Sequence, residues 1–162
     1  MPASYTVHVT KDHLVFCSGH FITYEGNQCE RLHGHNYKVA VEVTSPLDSN
    51  YYVFDFIALK KMTMLVCDEL DHRMMLPTKS PYIKVVTNNQ QVDVRFENKH
   101  WSFPLEDCVL LPIENTTAEL LAKYIAGRIK KTLADEHQYY PTELTVEVEE
   151  SFGQSARYTE TS

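Results

Sequence analysis

From His33 the chain reads His-Gly-His-Asn-Tyr-Lys-Val-Ala-Val-Glu-Val, with Tyr37, Val39, Val41 and Val43 at every second position. Alternation with a period of two sends successive side chains to opposite sides of an extended backbone, so this run predicts a strand and not a helix. The same period puts His33 and His35 on one face, close enough for both imidazoles to reach a single ion, while Gly34 leaves the opposite face empty. Ser45-Pro46-Leu47-Asp48-Ser49-Asn50 ends the strand with turn chemistry.

The rest of the chain must supply partners for this strand. Tyr5 to Phe16 alternates in the same way, with a break near Lys11-Asp12, and predicts a strand that bends or bulges on its way to Cys17-Ser18-Gly19-His20. Residues 24–32 read as a loop. Asp55 is placed to cap a helix whose apolar face is Phe56, Leu59, Met62, Val66 and Leu70, with Asp71-His72-Arg73 at its end. Thr116-Thr117-Ala118-Glu119 has capping-box form and opens a second amphipathic helix through Leu120, Leu121, Tyr124, Ile125 and Ile129, stopping near Leu133. Leu144, Val146 and Val148 alternate again, and Ser155 to Thr159 supplies a last short strand. Between the helices, residues 78–112 form an insertion. Tyr82 to Thr87 and Val92 to Phe96 flank Asn88-Asn89 as hairpin arms, and Trp101 to Phe103 is a third arm. The layout is α+β, with two helices on one face of an antiparallel sheet, in a single domain over residues 1–162. A sheet of about four long strands leaves edges that other subunits would close.

A chain of 162 residues can bury a core without staples, so a metal here is expected to serve chemistry. Fifteen Lys and Arg against 22 Asp and Glu leave a formal charge of -7, which offers no diffuse cationic field for nucleic acid or an anionic membrane surface. An anionic substrate would need a local pocket. The N-terminus has no basic segment followed by an apolar one, and no run reaches membrane-spanning length, which predicts a cytoplasmic protein. The cysteines at 17, 29, 67 and 108 form no CxxC pair, so neither a disulfide framework nor a zinc ribbon is expected.

Three neutral nitrogen ligands with an open position are the arrangement of catalytic zinc. His20, at the end of the preceding strand, is the candidate third ligand if antiparallel pairing returns residues 33–35 beside it. Cys29 lies in a polar loop, where proximity to a cation would favour its thiolate. Asp71-His72 is an ionisable pair of the kind used for proton transfer. Cys17, Cys67 and Cys108 sit in apolar stretches and read as core residues. Glu30 reads as a solvated loop carboxylate and Glu119 as the capping-box partner of Thr116. Glu150 shares the face of Val146 and Val148, opposite Glu147 and Glu149, so it points toward the apolar layer. There it requires donors, such as a ligand with two adjacent N–H groups.

These residues resemble the 6-pyruvoyl- and 6-carboxytetrahydropterin synthase family, in Phe16-x3-His20, Cys29-x3-His33-Gly34-His35-Asn36-Tyr37, Asp55-Phe56-x2-Leu59-Lys60, Leu70-Asp71-His72, Glu114-Asn115-Thr116-Thr117-Ala118-Glu119 and Val148-Glu149-Glu150-Ser151. The resemblance implies the tunnelling fold, in which ββααββ subunits form a barrel as a trimer or hexamer with active sites between subunits. It implies Zn2+ on His20, His33 and His35, and proton handling by Cys29, Asp71 and His72. Glu150 would anchor a pterin with help from Thr117 and Glu119, and the substrate would be 7,8-dihydroneopterin triphosphate. The three-residue gap from Cys29 to His33 resembles the bacterial 6-carboxytetrahydropterin synthases of queuosine biosynthesis. Alternatives are triphosphate elimination to 6-pyruvoyltetrahydropterin, side-chain cleavage to 6-hydroxymethyldihydropterin, for which Glu30 beside Cys29 is the feature, and a non-catalytic pterin-binding or zinc-scaffold protein.

Overall fold

The computed structural model describes residues 3–162. Along the chain run β1 (Tyr5–His20), β2 (Thr23–Tyr24), β3 (Gln28–Cys29), β4 (His33–Ser45), α1 (Phe56–Leu70), β5 (Arg73–Pro77), β6 (Lys84–Asn88), β7 (Gln91–Phe96), β8 (Lys99–Pro104), β9 (Cys108–Leu111), α2 (Ala118–His137), β10 (Glu143–Ser151) and β11 (Gln154–Thr161). The main sheet has the order β11-β10-β4-β1-β5-β9. Its four long strands pair antiparallel, as the alternation predicts. The two short strands at its end were not expected, and they join in parallel. Met74, Met75, Leu76 and Pro77 are all buried, so β5 is covered on both sides and its sequence carries no alternation.

One irregularity sets the site. Thr10 pairs with Ala40 but the next pair is Val15 with Lys38, so β1 advances five residues while β4 advances two. This odd offset of three exchanges the faces of β1. Before the bulge Val9 points inward, and after it Leu14, Phe16, Ser18 and His20 do. Cys17 is consequently exposed, which corrects its reading as a core residue; its apolar neighbours lie on the opposite side of the strand. Cys67 is buried as expected, and Cys108 is half-buried.

α1 packs on β1, and α2 on β10 and β11. The layer between them is filled by Phe16 from β1, Tyr37 and Val39 to Val43 from β4, Leu59, Val66 and Leu70 from α1, Leu121, Ile125 and Ile129 from α2, and Val146 and Val148 from β10. Asp55 caps α1, its carboxylate accepting from Ile57 N–H at 2.8 Å. The expected capping box of α2 is not formed. Thr117, not Thr116, is the cap, accepting from Leu120 N–H at 3.3 Å. Thr116 is fully buried and engaged elsewhere. α2 also runs past Leu133 to His137, where Gln138 ends it in a left-handed conformation with φ 48°. Within residues 78–112, β6-β7-β8 form a separate three-stranded sheet near the three expected arms, while β9 returns to the main sheet beside β5. No helix among the described residues is long and apolar enough to cross a membrane.

Candidate active site

The site is built where β1 and β4 end together. His20 pairs directly with His33 in the antiparallel register, and Ser18 pairs with His35. On β4, the face that carries Tyr37, Val39, Val41 and Val43 inward also carries His33 and His35, and the bulge has turned His20 to the same side. One ligand atom from each histidine lies within 4.8 Å of the others. The imidazole rings are 4.8 to 5.2 Å apart between centroids.

The hydrogen bonds of the rings orient their lone pairs. His20 Nδ1 lies 2.9 Å from the Thr116 carbonyl and His33 Nδ1 lies 2.7 Å from the Arg31 carbonyl. A carbonyl only accepts, so both Nδ1 atoms carry the proton and both Nε2 atoms are free to bind a cation. Burial lowers the His20 pKa from its ordinary value, and His33 and His35 push the same way. The Thr116 carbonyl and Glu150 oppose the shift. Neutral imidazole is the form that ligates metal. The Nε2 atoms of His20 and His35 are buried with no hydrogen-bond partner. An unsatisfied buried polar atom costs about 1–3 kcal/mol. His20 Nε2 has no partner, His35 Nε2 has only the Glu150 carboxylate nearby without a hydrogen bond to it, and a cation shared by the cluster would satisfy both.

Glu150 approaches this cluster, with Oε1 3.3 Å from His35 Nε2. β10 leaves β4 after the Glu149–Lys38 pair, and the β10–β11 register shifts between Glu149 and Ser151, so Glu150 stands free of the ladder. It lines an open cavity of about 300 Å³ with Ile22, Thr117, Ala118, Glu119, Gln154, Ser155 and Ala156. Thr117, Glu119 and Glu150 thus face one space. Because the cap is Thr117, Glu119 is not the capping-box partner that its spacing suggests, and it is available to a ligand.

Cys29, Asp71 and His72 are not members of the histidine cluster. Cys29 is half-buried at the end of β3. Burial pushes its thiol up and Glu30 adds to the rise, while the Lys99 ammonium opposes it. Glu30 is not simply solvated: its carboxylate accepts from Ile22 N–H at 3.1 Å and lies 3.9 Å from His33 Nε2. Asp71 and His72 form the bent pair that a proton relay requires. His72 has φ 55°, and its Nδ1 is 2.9 Å from Asp71 Oδ2. The backbone N–H of Cys17 donates to Asp71 Oδ1 at 2.8 Å, and the His72 N–H donates to the Cys17 carbonyl. The first of these is the main reason that the Asp71 carboxyl lies below its ordinary value, with His72 helping. The pair sits level with Cys17, roughly 10 Å back along β1 from His20. The His72 side chain is 82% exposed.

Sequence reasoning missed Thr116, whose carbonyl orients His20 and whose hydroxyl lies 3.3 Å from the same Nδ1. It also missed Asn115, which bridges the α2 lead-in to Thr23 through a 2.9 Å bond from its amide to the Thr23 carbonyl. Two consecutive threonines before a helix were the available signal, since one suffices for a cap.

Comparison with known proteins agrees with this geometry. The profile of the 6-pyruvoyl tetrahydropterin synthase family matches residues 8–161. A Methanocaldococcus jannaschii protein provisionally named a 6-carboxy-5,6,7,8-tetrahydropterin synthase is 36% identical over 90% of this chain and 89% of its own. The 6-carboxy-5,6,7,8-tetrahydropterin synthase of Aquifex aeolicus is 29% identical over 78% and 74%. Among solved structures, the 6-pyruvoyl tetrahydropterin synthase of Plasmodium vivax superposes with a TM-score of 0.90 at 30% identity, covering 98% of this chain and 99% of that one. A profile that spans both histidine-bearing strands, both helices and Glu150, and a backbone superposable from end to end, place this chain in the 6-pyruvoyl tetrahydropterin synthase family.

Proposed function

We propose that the protein is a zinc-dependent lyase that converts 7,8-dihydroneopterin triphosphate to 6-carboxy-5,6,7,8-tetrahydropterin with loss of acetaldehyde and triphosphate, as in the queuosine pathway. The observation that carries this reading is the convergence of His20, His33 and His35 beside a cavity walled by Glu150, Thr117 and Glu119. The names of the archaeal and bacterial relatives support the carboxy product.

His20, His33 and His35 would hold the zinc, which when bound supplies Lewis-acid polarisation of the oxygens on the substrate side chain. The Glu150 carboxylate accepts from the 2-amino group and the N3–H of the pterin, and Thr117 and Glu119 at the start of α2 complete that recognition. Cys29 takes or returns a proton at its sulphur. His72 does so at its ring, oriented through Nδ1 by Asp71, which is itself held by the Cys17 N–H. The distance of that pair from the cluster, and the free outer edges of β9 and β11, support a homo-oligomer, trimeric or hexameric, in which subunits complete one another's sites.

A second reading is favoured by Glu30. Its carboxylate faces His33, and two structures of the Plasmodium vivax enzyme are described as variants of a catalytic glutamate. With Glu30 as the base, the product would be 6-hydroxymethyldihydropterin. Incubation of the purified protein with 7,8-dihydroneopterin triphosphate and identification of the pterin product by mass spectrometry decides the matter. A 6-carboxy pterin is expected. A pyruvoyl pterin or a hydroxymethyl pterin as sole product rejects the carboxy assignment, and a bound but unchanged pterin marks a non-catalytic binding protein.

A further inference from the structure

The three-stranded insertion rests on the segments that carry the site. Val92, Val94 and Phe96 of β7 pack with Phe21, Met74, Leu76 and Ile83, and Cys29, Trp101 and Cys108 border the same cluster. Phe21, the residue after His20, stacks on Trp101 of β8 with ring centroids 4.4 Å apart and planes 21° apart. Two residues before Trp101, the Lys99 ammonium donates to the Cys29 carbonyl at 3.3 Å. Lys99 is held at that place by a two-residue turn, because it pairs with Phe96 across the β7–β8 hairpin. The Cys29 loop is fixed from its other side. Glu30 N–H donates to the Ile22 carbonyl at 2.9 Å, and Ile22 N–H donates back to the Glu30 carboxylate.

We propose that the β6-β7-β8 sheet is one wall of the active site and that Lys99 is a positioning residue for Cys29, holding its carbonyl and setting a positive charge beside its sulphur. This rests on the reading of Cys29 as a proton-transfer group. Two charges act on the thiol: Lys99 from β8, whose ammonium is bonded to the Cys29 carbonyl, and Glu30, the next residue in the loop. Cys108 of β9 is the other titratable group bordering the same apolar cluster. Burial and Glu30 both disfavour the thiolate, so among the described residues Lys99 is the group that works in its favour.

The test is alkylation of Cys29 by iodoacetamide across pH in the full chain supplied with zinc, followed by peptide mass spectrometry to separate Cys29 from Cys17, Cys67 and Cys108. Rates are normalised to the high-pH plateau, so that a change in access alone drops out. In Lys99→Met the midpoint is expected to rise, cutting the normalised rate near neutral pH about two- to five-fold at low salt. Lys99→Arg is expected to restore it, and the difference to shrink in 1 M salt. Coincident normalised profiles for wild type and Lys99→Met overturn the proposal, as does a rise that Lys99→Arg leaves unrepaired. No pterin is consumed in this assay. An inactive protein with a Lys99-dependent profile would therefore reject the lyase reading alone, and an active one with a Lys99-independent profile would reject this inference alone.

Discussion

Adding one methyl group at Gly34 separates strand spacing from every other contribution to the site. Gly34 faces Gly19 in the register, with the His20–His33 and Ser18–His35 pairs on either side. A Cβ at position 34 would lie 2.9 Å from the Ser18 carbonyl oxygen, 3.5 Å from its carbon and 3.6 Å from Gly19 Cα. Ordinary contact begins at 3.4 Å, and each of these neighbours is backbone, so the strands must part by about 0.5 Å. Overpacking of this kind costs about 1–3 kcal/mol. For a chain of this length each kcal/mol moves the melting temperature by about 2–4 °C, which predicts a fall of about 2–12 °C. The same displacement carries His33 and His35 away from His20 by about the tolerance of a preorganised site, so zinc affinity should drop about 10- to 100-fold. Gly127→Ala is the control. Position 127 lies inside α2 with nothing within 4 Å of a new Cβ, and helix propensity alone should stabilise it by about 0.5–1 kcal/mol. Thermal unfolding of the metal-free variants by circular dichroism and competition for zinc with a chromophoric chelator measure both effects. If Gly34→Ala melts at or above the wild-type temperature, or keeps wild-type zinc affinity, the claim that the close strand approach sets the cluster is wrong.

Three further outcomes are expected. His33→Ala should lose most bound zinc by elemental analysis while Cys29→Ala keeps it and loses turnover, because a ligand and a proton-transfer group fail differently; equal zinc loss in both would make Cys29 a ligand. Glu150→Ala should raise KM for the pterin about 10- to 100-fold by removing charged hydrogen bonds in the cavity, and an unchanged KM would place the pterin ring elsewhere. Asp71 has a depressed carboxyl, so its stabilising contribution is fully present above its ordinary pKa of 3.8 and is lost as pH falls through the lower folded value. Asp71→Asn should therefore flatten the acid limb of stability against pH in urea titrations, and a limb as steep as in wild type would show that the Cys17 bond contributes nothing.

The long strands and both helices were readable because each has one wet side and one dry side. Val39, Val41 and Val43 alternate on β4, and Leu59, Met62 and Val66 recur at helical spacing on α1, since each buries only one side. β5 was invisible for the converse reason: Met74, Met75, Leu76 and Pro77 are buried all round, and a short apolar run without alternation does not declare its structure. The sequence places the start of α2 one residue early because Thr116 and Thr117 are equally good caps in isolation. Only the folded protein shows that the first is taken up by His20, and this choice frees Glu119 for the cavity.

The histidine triad depends on a feature that the sequence marks only as a break. Residues beyond Lys11-Asp12 keep their short-period pattern, but nothing local states whether the break inserts an even or an odd number of residues. An even insertion would leave β1 with its first parity, and Cys17 would point inward while His20 pointed out. The observed offset of three puts Phe16 on Tyr37, with ring centroids 4.7 Å apart, and His20 beside His33. Burial of Leu14 and Phe16 is what selects the odd offset, since these two larger side chains outweigh Val15 and Cys17, which it turns outward. The apolar packing of the first strand and the position of the third imidazole are therefore one choice, made by the core and inherited by the site.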